Sequence, residues 1–236
     1  MNAFSTSVMT RATSALTLPY FTWIAGLVVL FFCTNYDAPA FVYAGKTLLC
    51  LLLLGVFRPW RFASCKATPN NLIAGILFGI VVCVLWVLPE ATPWDRFLNF
   101  YRRWFVMMPG TLPDYHASWC YSWKSAPMLA FVKLIGSAFV IAPIEEFFFR
   151  GWLMRWLTDR DWQHIPLSAV SRNAFWITAL VFAFEHDRFV VGLLAGLVYG
   201  ILAVRTNSLR TSIIAHITTN LLLGVYVLIT DSYEFW

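Results

Sequence analysis

The chain has 236 residues, of which 60% are hydrophobic and 12% are charged, and its formal net charge is +5. A soluble domain averages roughly 45–50% apolar and about 25% charged residues, so a water-soluble fold of this length is excluded and the solvent must be lipid. In a membrane protein a positive net charge indicates cationic loops on the cytoplasmic side. The sequence contains no basic element typical of nucleic-acid recognition, so we expect no nucleic-acid partner. We predict a single transmembrane domain over residues 1–236.

Seven apolar segments are predicted to span the bilayer, because a helix needs about 20 residues to cross the hydrocarbon. They lie at 18–35, 40–57, 71–88, 127–157, 173–188, 189–205 and 208–230. The fourth is too long for one crossing and should protrude. The boundary between the fifth and sixth falls near Asp187 and Arg188. The predicted fold class is an all-α polytopic membrane bundle of about seven transmembrane helices.

Cationic residues fall in alternate loops, which predicts the orientation. The acidic residues Asp37 and Asp187 lie in the other loops. The cationic set precedes the first span or follows the second, fourth and sixth spans: Arg11, Arg58, Arg61, Lys66, Arg155, Arg160, Arg172, Arg205 and Arg210. Because cytoplasmic loops carry an excess of Lys and Arg, we expect a cytoplasmic N-terminus and an external C-terminus.

An amphipathic helix is predicted at residues 93–106, between the third and fourth spans. Aromatic residues recur there at helical spacing and face away from most of the arginines, as in a helix that lies in the membrane interface. The aromatic residues are Phe97, Phe100, Tyr101, Trp104 and Phe105, and the arginines are Arg96, Arg102 and Arg103. Two interpretations stay open: an aromatic anchor, or a lid over a lateral entrance.

The fourth span carries two adjacent carboxylates, Glu145 and Glu146, and a cation, Arg150. Glu146 and Arg150 are four residues apart on one helical face, in the order that favours an ion pair. Glu145 lies about 100° around the helix and lacks that local partner. This predicts that Arg150 holds Glu146 ionised, while Glu145 can take a proton from water. The alternative is a helix end at which both carboxylates are solvated by the headgroup region.

Two further spans carry imidazole and amide groups. His186 follows Glu185 in the fifth span, and His216 lies four residues before Asn220, on the same face of the seventh. Each taken alone also fits a structural role, either as a helix end or as polar packing between helices. Counted at 1.5 Å per residue, His216, Glu145 and His186 lie about 12, 15 and 20 Å from the cytoplasmic helix ends. Overlapping depths predict one polar, water-filled pocket.

These residues form three patterns in order: EExxxR from Glu145 to Arg150, FxxxH from Phe182 to His186, and HxxxN from His216 to Asn220. Together they resemble the motifs of the CAAX protease and bacteriocin-processing membrane family, which includes the type II CAAX prenyl endopeptidases. The resemblance covers residues 125–225, the catalytic core of that family.

The C-terminal sequence from Arg205 to Leu228, with the terminal Phe235 and Trp236, further resembles the bacterial CAAX-protease-related branch that is associated with exosortase systems. This narrower resemblance implies a bacterial inner-membrane protein.

The family resemblance implies an intramembrane endopeptidase that acts on a membrane-associated protein or peptide. Glu145 and His186 would activate the attacking water, and His216 with Asn220 would stabilise the oxyanion. Glu146 and Arg150 would support the site. Such a mechanism needs a base within hydrogen-bond reach of the water, together with preorganised donors for the developing charge.

Metal dependence stays open in the sequence. Glu145, His186 and His216 could hold Zn²⁺ with an open coordination position, although HExxH is absent and the histidines lie on different helices. Glu185 could orient the imidazole of His186, or could simply be a polar group near a helix end.

Two other functions remain alternatives. A non-catalytic immunity or scaffold protein on the same fold would predict degenerate motifs, whereas all three are intact. A transporter would predict ionisable residues spread through the bilayer depth and a repeat.

Overall fold

The computed structural model describes residues 3–31, 38–91, 93–106 and 127–235. Within these ranges the chain is built from helices, without a strand, which confirms the predicted all-α class. The helices of ten or more residues are α1 (Ala3–Phe31), α2 (Ala38–Phe57), α3 (Pro69–Val87), α4 (Asp95–Phe105), α5 (Pro127–Thr158), α6 (Arg172–Phe184), α7 (Phe189–Thr206) and α8 (Leu209–Thr230). Residues 32–35 of the first predicted span, Asp37 and Trp236 lie outside the described residues.

Six of the described helices, α1, α2, α3, α5, α7 and α8, are long and apolar enough to cross a membrane. The first predicted span began too late, since α1 starts at Ala3 and its apolar stretch covers Thr10–Val29. The fifth predicted span was too long. The helix α6 has 13 residues, or about 20 Å, and is too short to cross a hydrocarbon core of about 30 Å alone.

The connecting loops collect at two ends of the bundle, as alternating spans require. At one end the carbonyl of Ser64 accepts a hydrogen bond from the Leu209 amide at 2.7 Å, and the Asn207 side chain accepts one from the Ser168 amide at 3.1 Å. At the other end Arg188 pairs with Glu90. The bonds at the first end join the cationic loops that follow the second, fourth and sixth predicted spans. Which end faces the cytoplasm stays a prediction.

The helix α5 crosses the middle of the bundle and changes its winding beside the acidic pair. It is π-helical over Ser137–Ile141 and again over Phe147–Leu153, with an α-helical turn at Ala142–Glu146 between them. Pro143 has no N–H to donate, and its ring conflicts with the carbonyl four residues earlier, so the wider winding relieves this conflict. Such π-segments are frequent at functional sites. Here they flank the two glutamates.

The helices α3 and α8 approach closely through glycines of α3. A Cβ atom added at Gly79 would lie 2.4 Å from the carbonyl oxygen of Ala215, and one at Gly75 would lie 2.8 Å from that of Thr211. Small residues let backbones approach in this way inside membranes, where lipid gives little drive for helix association. The contact at Gly79 is next to His216 and fixes the position of α8 there.

The amphipathic helix predicted at residues 93–106 is present as α4. Tyr101 is buried, while Phe97, Phe100 and Trp104 are exposed on the surface of the bundle. A row of exposed aromatic rings is what an interfacial helix presents to lipid. Arg102 pairs with Glu90 at 2.9 Å, so α4 is tied to the end of the bundle that also holds Arg188.

Candidate active site

The buried carboxylate of Glu146 organises the site. Its side chain is 0% exposed, and its Oε1 atom accepts hydrogen bonds from Arg150 Nη1 at 2.8 Å and from His216 Nδ1 at 3.0 Å. The other guanidinium nitrogen of Arg150, Nη2, donates to the carbonyl of Gly196 at 2.9 Å. The structure therefore places Glu146 and Arg150 as the predicted i, i+4 pair. It also links that pair to α7 and α8.

His216 lies between the two glutamates. Its Nδ1 atom is bonded to Glu146, and its Nε2 atom is 3.7 Å from Oε2 of Glu145. Tyr199 stacks on the imidazole with ring centroids 4.6 Å apart, and Phe182 meets it edge-on at 5.8 Å. Because a carboxylate only accepts hydrogen bonds, Nδ1 carries a proton and Nε2 is the nitrogen that faces Glu145.

Glu145 is 6% exposed, and its Oε2 atom has no hydrogen-bond partner among the described residues. The separation of 3.7 Å from His216 is too long for a direct hydrogen bond but short enough for a strong electrostatic interaction. No local partner for Glu145 is predicted on its own helix, and the structure supplies His216 from α8. Glu185 is also close enough to Glu145 to interact electrostatically.

His186 lies just beyond the end of α6, which corrects its predicted place inside a span. Its Nδ1 atom is 2.8 Å from the carbonyl oxygen of Phe182, and its backbone amide bonds Ala183. The carbonyl of Phe182 therefore orients the imidazole, and Glu185 occupies the helix C-cap. A Cβ atom at Gly192 would lie 3.2 Å from Cβ of His186, so α7 leaves room for the loop there.

Asn220 is held by the π-helical part of α5, since its Nδ2 atom donates to the carbonyl of Ser137 at 3.0 Å. A cavity of about 200 Å³ is lined by Asn220 together with His186 and His216. Glu145 and Glu146 are not in its wall. His216 lies between the two glutamates and the cavity, and contacts both carboxylates. The structure thus brings all six predicted residues into one constellation, with the carboxylates one side chain removed from the cavity.

The fit of a metal ion can be judged from the side chains. A catalytic zinc site uses three protein ligands and an open position. Within the described residues, no group of three or more His, Cys, Asp or Glu side chains is placed to hold a metal ion. Glu145 and His216 approach each other to 3.7 Å, and the bond from His186 Nδ1 to Phe182 leaves Nε2 of that ring unengaged, so the placement of the groups, rather than that bond, is what argues against a metal site. The described arrangement does not form the three-ligand set that Zn²⁺ needs.

Several residues at the site were not singled out in the sequence. Tyr199 donates from its hydroxyl to Thr219 at 2.8 Å and thereby holds the ring that stacks on His216. Lys133 lines the cavity, and Lys46 lies close by against an aromatic ring of the cavity wall. The two lysines could have been identified from the sequence, because an ionisable residue inside an apolar span needs a partner or a function. Tyr199 and Thr219 carried none.

Residues 127–222 match the family described as type II CAAX prenyl endopeptidase Rce1-like. This segment of the chain is similar to that family of membrane proteases. The matched segment runs from the start of α5 into α8 and contains all six predicted site residues. No curated protein matches the chain, and no solved structure matches it. The match supports the family prediction made from the three motifs.

Proposed function

We propose that the chain is an endopeptidase that hydrolyses a peptide bond of a membrane-associated protein or peptide. One observation carries this proposal: His216 contacts both buried glutamates at a cavity that it shares with His186 and Asn220. A carboxylate and imidazole pair can move a proton, and the amide can donate to a developing charge. These are the two capabilities that hydrolysis of an amide requires.

Charge balance favours one proton shared between Glu145 and His216. Arg150 and Glu146 neutralise each other at 2.8 Å. An ionised Glu145 beside a neutral imidazole would leave one uncompensated charge in a buried site, which is costly. The reactive arrangement has Glu145 ionised and His216 protonated on both nitrogens. Glu146 accepts from Nδ1 and so stabilises that cation, as the orienting carboxylate of a catalytic triad does.

In the proposed reaction a water enters beside His216 and bonds the unpartnered Oε2 atom of Glu145, which takes a proton from it, and the water oxygen attacks the carbonyl carbon of the substrate. The carbonyl π electrons move onto its oxygen. Nε2–H of His216 and the second N–H of Asn220 Nδ2, whose first bonds Ser137, would donate to that oxyanion. Glu145 then passes the proton to the leaving amine as the C–N bond breaks. A positioned base contributes about 10²–10⁴-fold, and each oxyanion donor about 10²–10³-fold.

His186 would assist as a second acceptor for the water. Its Nδ1–H donates to the Phe182 carbonyl, which leaves the lone pair on Nε2. Because His186 lines the cavity, that nitrogen is the ring atom left to bond a cavity water. Glu146 and Arg150 act through His216 and are positioning residues. No step of this mechanism passes through a metal ion.

We further propose a bacterial inner-membrane location with a cytoplasmic N-terminus, because the cationic loops meet at one end of the bundle and cytoplasmic loops carry such an excess. The exosortase-associated branch is the narrower assignment that the C-terminal sequence favours. A membrane-associated substrate follows from the placement of the cavity among apolar helices. It would reach the site within or beside the bilayer.

The proposal is tested with the purified full chain in proteoliposomes. The probe is a pool of Nα-palmitoylated decapeptides with randomised residues, and cleavage is followed by mass spectrometry. Glu145→Gln and His216→Ala should each slow cleavage by at least about 100-fold, the effect of losing a base or an oxyanion donor. Asp161→Asn, a change of an exposed acid, is the matched control and should cleave at the wild-type rate. Normal cleavage by Glu145→Gln would overturn the assignment, and a wild-type chain that cleaves nothing would favour a non-catalytic role.

A further inference from the structure

Two lysines inside the apolar spans have no part in the proposed hydrolysis. Lys46 lies on α2 and Lys133 on α5, and their side chains are 6% and 9% exposed. An ionisable residue within a membrane span is rare and marks a substrate pathway or a partner by default. Lys46 is eight residues, or about 12 Å, from the start of its helix, and Lys133 is six residues, or about 9 Å, from the start of its own. Both lie within apolar helical stretches that are long enough to cross a membrane.

Lys133 lines the cavity, and Lys46 packs behind two aromatic rings of its wall. Nζ of Lys46 lies 3.4 Å from the ring centroid of Trp23 and 5.1 Å from that of Tyr43, and Nζ of Lys133 lies 4.5 Å from the centroid of Tyr43. Trp23, Tyr43 and Lys133 all line the cavity that His216 also lines. Two lysine side chains therefore share one aromatic ring in the wall of that cavity.

Close helix contacts build this arrangement. A Cβ atom at Gly26 would lie 2.7 Å from Cδ of Lys46, so α1 leaves space for the stem of that lysine. A Cβ atom at Gly136 would lie 2.8 Å from Thr47 and 3.4 Å from Tyr43, so α2 approaches α5 where the aromatic ring lies between the lysines. The ammonium groups are thus held by packing, and their position does not depend on a flexible surface side chain.

The amino group of Lys46 is under-compensated by the described protein groups. Nζ of Lys46 is buried without a hydrogen-bond partner. Aromatic faces attract a cation, but they do not replace hydrogen bonds to an ammonium group. Among the described residues no ion pair links Lys46 to a carboxylate, although Glu145 is near enough to interact electrostatically. An anion seated beside the Tyr43 ring, which both lysine side chains approach, would supply the partner that Lys46 lacks.

We propose that Lys46 and Lys133 form an anion-binding subsite of the catalytic cavity that takes a carboxylate of the substrate. This inference rests on the proposed peptidase function. Lys133 is one helical turn, about 6 Å, from Ser137, whose carbonyl holds Asn220. The subsite therefore lies beside the oxyanion donors and engages a carboxylate close to the scissile bond. A peptide can bring that group as its C-terminus or as an Asp or Glu side chain.

The first experiment compares two pools of the Nα-palmitoylated decapeptides, one with a free C-terminal carboxylate and one with a C-terminal amide. A charge-assisted contact should favour cleavage of the free-acid pool by about ten- to 100-fold if the terminal carboxylate is bound. If a side chain is bound, both pools are cleaved alike and the cleaved peptides are enriched in Asp and Glu at one position relative to the cut. Cleavage that shows neither preference overturns the subsite and leaves the peptidase function intact.

The second experiment removes the cations. Lys46→Met and Lys133→Met should raise KM for the preferred anionic peptides by about ten- to 100-fold and leave kcat nearly unchanged, whereas Lys133→Arg should retain the preference. Lys66→Met, a change of an exposed lysine at the other end of the bundle, is the matched control and should behave as wild type. An equal loss for neutral and anionic peptides would show a structural role and contradict the proposal.

A binding measurement separates this inference from catalysis. The Glu145→Gln protein in nanodiscs should bind the preferred anionic decapeptides more tightly than neutral ones, and Lys133→Met in the same background should abolish that difference. Equal binding of anionic and neutral peptides overturns the subsite whether or not the wild-type chain cleaves. Preferential binding with no cleavage by wild type would support the subsite and contradict the peptidase.

Discussion

Replacing Arg150 by methionine would isolate the buried charge of Glu146. Arg150 is 1% exposed and makes two hydrogen bonds, one to Glu146 at 2.8 Å and one to the carbonyl of Gly196 at 2.9 Å. Breaking a buried ion pair from one side costs about 3–5 kcal/mol, because the remaining charge stays in a low-dielectric environment. The Arg150→Met variant should therefore lose about 3–5 kcal/mol of its free energy of unfolding.

The double variant Glu146→Gln/Arg150→Met removes both charges at once and should recover most of this loss, to within about 1–2 kcal/mol of wild type, since a neutral replacement of a buried pair is often tolerated. It should not recover activity. Without the carboxylate of Glu146, His216 loses the partner that stabilises its cation, and cleavage should stay at least about 100-fold slow.

Unfolding is followed in mixed micelles of dodecyl maltoside and increasing SDS by tryptophan fluorescence, and cleavage is measured on the same preparations. Arg96→Met, a change of an exposed arginine, is the control and should unfold like wild type. Two results would refute the reasoning. One is an Arg150→Met variant whose free energy of unfolding lies within about 1 kcal/mol of wild type. The other is a Glu146→Gln/Arg150→Met variant whose free energy of unfolding is as low as that of Arg150→Met.

Three further predictions concern packing, the loop of His186 and metal. Gly79→Leu should both destabilise the bundle and slow cleavage, because an added Cβ would lie 2.4 Å from a backbone oxygen of α8. A reduced free energy of unfolding together with full activity would contradict the view that this α3–α8 contact fixes the site. Arg188→Gln breaks the buried pair with Glu90, so hydrogen–deuterium exchange should rise in residues 185–191, which include His186, while Arg96→Gln should not change it. Cleavage should stay within about twofold after chelation and dialysis, since the described residues lack a three-ligand metal site; lost activity that returns with Zn²⁺ would contradict this.

Local spacing predicted a large part of the architecture. The pairing of Glu146 with Arg150 followed from four-residue spacing on one helix, and the motif order predicted the family. Most helix bounds were predicted to within a few residues, because apolar runs are long and end at charged or turn-forming residues. The late start predicted for α1 has a physical reason: its first residues are polar and helical, and hydropathy alone does not detect them.

Contacts between distant helices could not be predicted. The hydrogen bond from His216 to Glu146 joins residues 70 positions apart, and no spacing rule encodes it. Depth counting correctly brought the polar groups to one level, but it could not show that the glutamates stay outside the cavity wall. The place of His186 beyond α6 depends on a bond from its side chain to the carbonyl of Phe182, which ends the helix.

The most direct test of the central claim is a cleavage reaction in ¹⁸O-labelled water with the purified chain in proteoliposomes. The central claim is that Glu145, with His216, activates water against a peptide bond. It predicts palmitoylated fragments that carry one ¹⁸O atom in each new C-terminal carboxylate, and a rate at least about 100-fold lower for Glu145→Gln. Labelled fragments formed at equal rates by wild type and Glu145→Gln, or no fragments from wild type, would contradict it.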